Sequence, residues 1–146
     1  MKASLKPGLS FEFAFPVPEE YTVPHLLPEA PEFQAMPRVL ASGFMVGLIE
    51  LACIKAVNPH LDWPTEQTVG IGFHLDHTAA TPPGLTVRIR GTLTRVEGRK
   101  LTFAVAADDG VDKISEGTHD RFVIQAERFS RKAADKLHRA KRYFEP

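Results

Sequence analysis

A single cysteine, Cys53, is all the thiol chemistry this chain has. It excludes an intramolecular disulfide and any cysteine-rich zinc site. Its place in an apolar stretch marks an inert buried thiol rather than a nucleophile. Excess charge is missing too, since 18 Lys and Arg balance 18 Asp and Glu. Neither nucleic acid nor an anionic membrane is therefore an expected partner. There is no internal repeat and no low-complexity segment. No serine has glycines two residues either side, so the serine-hydrolase elbow is absent. Met1 to Leu9 carries two lysines but no long apolar region, so no signal peptide is expected and the cytoplasm is the default compartment. The 146 residues suit one domain, 1–146, with a real core.

What is present begins with an alternation. Phe11, Phe13 and Phe15 interleave with Ser10, Glu12 and Ala14, the pattern of a half-buried strand. From Glu19 to Arg38 four prolines prevent any long regular element. Leu26, Leu27, Phe33 and Met36 in this segment must still lie on something, either a pocket or the core. Ala41 to Val57 then reads as a helix apolar on every side, which predicts a buried helix too short and too interrupted to span a bilayer. A second strand follows in which Val69, Ile71, Phe73, Leu75 and His77 share one face. Thr86 to Val96 predicts a third, Leu101 to Ala107 a fourth, and Lys113 to Phe129 a fifth, bent near Gly117. The basic tail from Ser130 carries a weak helical stripe of Ala133, Leu137 and Phe144. Consecutive strands joined by short turns imply an antiparallel sheet. An α+β protein with one sheet wrapped around one apolar helix is the hot-dog arrangement, and so little cover for a curved sheet predicts a dimer.

The chemistry gathers on three residues. Glu50 is an acid in the middle of the apolar helix, costly there unless paired, hydrogen-bonded or protonated. His77 shares the parity of the core-facing residues of the second strand, which predicts that it faces Glu50. Ser42 opens the helix, roughly 12 Å of rise and about 80° of rotation from Glu50. Each has a plainer reading: a structural ion pair for Glu50, a backbone-satisfied ring for His77, an N-cap for Ser42. A metal is not expected, because His74 and Asp76 share a face with no third ligand. Gly70 and Gly72 form no phosphate loop and mark instead a close backbone approach.

Several stretches resemble the fluoroacetyl-CoA thioesterase family of hot-dog proteins. They are Ala41-Ser-Gly-Phe-Met-Val-Gly-Leu-Ile-Glu50-Leu-Ala-Cys53, His77-Thr-Ala-Ala-Thr-Pro-Pro-Gly-Leu85, Arg95-Val-Glu-Gly-Arg99, Asp109-Gly-Val-Asp112, Gly117-Thr-His119 and Pro28-Glu-Ala-Pro-Glu-Phe33. The likeness runs from about Tyr21 to Phe129. It implies a homodimeric thioesterase that hydrolyses a short-chain acyl-CoA, with CoA as part of the substrate and no cofactor. The family's catalytic hydroxyl, glutamate and histidine fall on Ser42, Glu50 and His77. Its aromatic lid falls on Phe33 and Met36, its acyl-lining backbone on Gly70 and a nearby arginine on Arg121. Two positions depart from the family: serine stands for threonine at 42, and a thioether for an aromatic ring at 36. Both bear on discrimination of a fluorinated acyl group, neither on hydrolysis. The alternatives are a hot-dog enoyl-CoA hydratase or dehydratase, and a non-catalytic acyl-CoA or small-ligand-binding protein.

Overall fold

The computed structural model describes residues 1–144. Its chain order is β1 (Ser10–Pro16), short helices α1 (Val23–Leu26) and α2 (Pro31–Gln34), α3 (Ser42–Val57), β2 (Glu66–Leu75), β3 (Thr86–Glu97), β4 (Lys100–Asp108), β5 (Lys113–Gln125) and α4 (Ala126–Phe144). The five strands form one antiparallel sheet in the order β1-β3-β4-β5-β2, with α3 across one face. This is the expected α+β hot-dog arrangement. β1 and β2 are its free edges.

Alternation builds the core. Val87, Ile89 and Leu93 of β3, Leu101, Phe103 and Val105 of β4, and Val123 of β5 are buried against α3. From α3, Met45, Leu48, Ile49, Ala52, Cys53 and Val57 are buried, a stripe at helical spacing. The opposite face is open: Gly43, Gly47 and Leu51 are exposed. The expectation of a wholly buried helix is thus corrected, because the sheet of one chain reaches only one side of it. α3 with the 3-10 turn after it, Ser42–His60, is long and apolar enough by length and composition alone to cross a membrane, a test that a core helix also passes.

Two further differences have local causes. β2 carries a bulge between Gly70 and Gly72. Counting parity through it puts Val69 and Phe73 on one face, whereas the pairs Val69↔Phe122 and Phe73↔His119 place them on opposite ones. β5 stops at Gln125 rather than continuing to Phe129. From Ala126 the apolar residues fall at three- and four-residue intervals (Ala126, Phe129, Ala133, Leu137, Ala140), a helical period, and α4 starts at once. At Gly117, where a bend is expected, β5 runs on unbroken but requires glycine. The φ of Gly117 is +150°, and a Cβ there would lie 1.9 Å from the His74 carbonyl oxygen.

Candidate active site

α3 begins with Ala41 as its N-cap, so Ser42 is its first helical residue and not the cap. Its hydroxyl is free for another partner and shares a 2.7 Å hydrogen bond with His77 Nδ1. His77 lies beyond the end of β2, not on it. Its position is fixed from both sides. The Asp76 amide donates to the Glu116 carbonyl and the Glu116 amide to Asp76 Oδ1, while the Thr78 amide donates to the Ile114 carbonyl. His77 Nε2 is buried with no hydrogen-bond partner. Burial holds the His77 pKa below the usual histidine value, against the opposing pull of the Ala79 backbone and Asp76. The segment after His77 is tied to the helix start, since the Leu40 amide donates to the Thr81 carbonyl at 2.8 Å.

Glu50 sits two turns further along α3, with 34% of its side chain exposed. Its Oε1 accepts from Arg121 Nη1 at 3.0 Å. Arg121 is 1% exposed. Two further donors reach β2: Nε donates to Thr68 Oγ1 at 2.8 Å and Nη2 to the Thr68 carbonyl at 2.7 Å. Arg121 Nη1 also stands 3.0 Å from His119 Nε2. A guanidinium only donates, so His119 Nε2 is the acceptor and Nδ1 carries the hydrogen that goes to the Gly72 carbonyl at 2.9 Å. His119 is fully buried and stacks on Phe73 at 4.4 Å between ring centroids. Burial lowers its pKa, and the Arg121 charge adds to that effect. Gly70 closes the cluster. A Cβ there would lie 2.5 Å from Glu50 Oε1, 2.9 Å from Phe73 Cζ and 3.3 Å from His119 Cε1.

One chain therefore holds two separate polar clusters, Ser42 with His77 and Glu50 with Arg121, Gly70 and His119. The expected face-to-face contact of His77 with Glu50 is not made within the chain. The parity argument fails because the bulge shifts alternation and the strand ends before His77. Phe33 and Met36 belong to a cover above the start of α3. Leu26 of this cover packs on Gly43, where a Cβ would be 3.0 Å from its Cδ2, and Tyr21 stacks on Phe44 at 4.7 Å. Phe33 is half-buried and Met36 is 50% exposed. Thr68 and His119 escaped the sequence reading as functional candidates. Alternation along β5 carried a signal: His119 and Arg121 share the inward face with Val123, two polar groups in an apolar row. Elsewhere, Cys53 is buried beside this cluster and its thiol is pushed up to about 12 by burial. Among the described residues no three His, Cys, Asp or Glu side chains gather as a metal site requires.

Residues 22–127 match the model of the family FlK, fluoroacetyl-CoA-specific thioesterase. The chain belongs to that family. The fluoroacetyl-CoA thioesterase of Streptantibioticus cattleyicolor is 50% identical over 136 residues, which is 93% of this chain and 97% of that protein. A solved structure of the fluoroacetyl-CoA thioesterase FlK is similar at a TM-score of 0.88 and 50% identity, covering 90% of this chain and 97% of that one. A threonine-to-serine variant of FlK in complex with acetyl-CoA matches at 0.88 and 51%, covering 90% and 98%. The family match ends one residue after α4 begins. Nearly all of α4 lies outside the matched residues.

Proposed function

We propose that this chain hydrolyses a short-chain acyl-CoA to the free acid and CoA, at a site built by two copies of itself. The observation that carries the reading is the division of polar groups along α3. Ser42 and His77 stand at its start, Glu50 at its middle, and Gly47, with nothing within 4 Å of its Cβ position, leaves the helix surface between them open. Two α3 helices packed antiparallel about a twofold axis near Val46 and Gly47 would bring Ser42 and His77 of one protomer to Glu50 of the partner subunit. Glycines permit close helix approach, and the interface is self-complementary. The free edge of β2 supports the same dimer.

In that site the free oxygen of Glu50 either attacks the thioester carbonyl or takes a proton from the attacking water. The first amides of α3 have no side-chain cap and are oriented to receive an oxyanion, aided by the helix dipole. His77, held by Ser42, supplies a proton to the departing sulfur or activates water in the second step. Cytoplasmic CoA is the pool we expect it to use. The native serine at 42 and methionine at 36 favour acetyl-like acyl groups over strict fluoroacetyl selectivity.

The test is subunit complementation after a thiol-release screen with acetyl-CoA and fluoroacetyl-CoA. His77→Ala and Glu50→Gln proteins are each inactive on this reading. Mixed and re-equilibrated, they should recover about a quarter of wild-type activity, since half of the dimers then hold one intact site. No recovery, in a mixture shown to exchange subunits, would rule out the shared site.

A further inference from the structure

α4 differs in charge from the chain as a whole. Its 19 residues hold seven of the protein's 18 Lys and Arg but only two of its 18 Asp and Glu, Glu127 and Asp135, so its own net charge is +5. The zero net charge of the whole chain, which argues against an anionic partner, hides this local excess. Among the described residues Arg131 is the one cation of α4 in an ion pair, with Glu127. Every residue from Glu127 to Tyr143 is exposed, so little in the chain covers the helix beyond its first turns. The charges are sorted around the axis. At ideal helix geometry Phe129, Ala133, Leu137 and Ala140 fall within about 80° of one another. Lys132 and Lys136 border this apolar stripe on one side and Lys141 on the other, while Arg128, Arg131, Arg139 and Arg142 fall on the opposite face.

The stripe does not end with the helix. Phe129 meets Val69, Ile71 and Phe122, an apolar strip on the outer face of β2 and β5, away from α3. Ile71 is 52% and Leu137 59% exposed. We propose that α4 and this strip dock on the surface of an anionic lipid bilayer, the helix lying in the plane of the headgroups. Lysines at the borders of the stripe can lay their methylene stems along it and raise their ammonium groups to lipid phosphates. Charge decides among the occupants. A second copy of α4 would bring another five net positive charges and be repelled. Nucleic acid would answer the cations but leave Leu137 and Ile71 in water. An acidic groove in a protein would take the helix but not the strip on the sheet. A bilayer with anionic headgroups answers both the charge and the apolar surface. Pairing of two β2 edges about a twofold axis normal to the sheet would leave this face open and set both α4 helices on one side. That doubling alone rests on the dimer proposed above; docking of a single helix does not. It assigns membrane contact to an element almost wholly outside the family match.

The experiment sediments the full chain with vesicles of phosphatidylcholine holding about one-third phosphatidylglycerol, and with vesicles of phosphatidylcholine alone. The wild type should bind the anionic vesicles and not the neutral ones, and should lose most of that binding as salt rises from about 0.1 M to about 0.5 M. A Lys132→Gln, Lys136→Gln, Lys141→Gln triple variant and a Leu137→Asp variant should each bind about tenfold more weakly. All four side chains are exposed, so both variants should unfold at the wild-type denaturant midpoint. Absence of wild-type binding to the anionic vesicles overturns the proposal. Binding that Leu137→Asp leaves unchanged overturns it too, because the apolar stripe then does not enter the bilayer. So does tighter binding to duplex DNA or to soluble polyglutamate than to the vesicles at the same salt, which would assign α4 to nucleic acid or to an acidic protein. A smaller oligomer for Leu137→Asp, with no vesicle binding by the wild type, would assign the face to a second copy of the chain and overturn the lipid reading.

Discussion

Arg121 and Glu50 are joined at 3.0 Å, and the arginine is the buried partner. The cation is placed by the fold, through Thr68 and His119, and the carboxylate is placed by the cation. Glu50→Gln keeps an oxygen for Arg121 but loses the charge. Turnover of acetyl-CoA should fall by about two orders of magnitude or more, the scale of an acid–base group. Arg121→Met should instead cost stability, about 3 kcal/mol, because it strips buried partners from Thr68 and His119. Urea unfolding of the two variants beside thiol-release kinetics separates the effects. Near-normal hydrolysis by Glu50→Gln would remove it from the chemistry.

Ser42 and His77 make the second pair. His77→Ala should reduce kcat about a hundredfold. Ser42→Ala should reduce it less, since the ring stays anchored by the bonds of Asp76 and Thr78 to β5. Ser42→Thr restores the family residue and limits the hydroxyl to fewer rotamers. It should raise the preference for fluoroacetyl-CoA over acetyl-CoA, read as the ratio of kcat/KM values. An unaltered ratio would show that position 42 does not set selectivity.

Gly70 has no room for a methyl group. Gly70→Ala would press on Glu50 Oε1 at 2.5 Å and on the Phe73 ring at 2.9 Å. The expected cost in stability is about 1–3 kcal/mol, as for overpacking. Activity should fall further than that, because the displaced group is the carboxylate. A variant with wild-type kcat/KM would mean that Glu50 can move without consequence.

Acid should destabilise the fold in two stages. Burial lowers the pKa of both His77 and His119 from the usual 6.5, so the folded chain binds these protons more weakly than the unfolded chain. Stability is fully present above 6.5 and declines as pH falls from there toward the folded values. Asp120 is held low chiefly by the Thr102 hydroxyl. Asp109 is pushed up by burial but held low on balance by the amides of Asp112 and Val111 and by Thr81. Their contribution is present above the ordinary carboxylate pKa of about 4 and is lost below it. Denaturant midpoints between pH 8 and 3 should show both steps. A flat profile from 7 to 5 would contradict the neutral, buried state of the two rings. Where His77 acts as the base that activates water, activity should persist somewhat below pH 6.5, because burial lowers its pKa; where it acts as the acid, activity should instead rise as pH falls toward that lowered value.

The strands were legible because Phe11, Phe13 and Phe15, and later Val87, Ile89 and Leu93, alternate without interruption. Ser42, Glu50 and His77 stood out as polar groups in apolar company. What hid the arrangement of the site was one extra residue. The bulge beside Gly70 breaks the count along β2, and no propensity marks it apart from the glycines themselves. The openness of α3 was also hidden, since an all-apolar helix reads the same whether its second face meets its own sheet or another molecule. The switch from β5 to α4 fell within Gln125 and Ala126, with no proline or glycine to announce it.

The many bonds of Arg121 also bear on how the molecule breathes. Edge strands ordinarily fray first, because main-chain pairing holds them on one side only. Here a guanidinium rooted in the neighbouring strand clamps Thr68 by both hydroxyl and carbonyl, and through His119 it reaches the Gly72 carbonyl. The sheet margin is laced by side chains as well as by peptide groups, so its outermost member is stiffened where a rigid rim is needed.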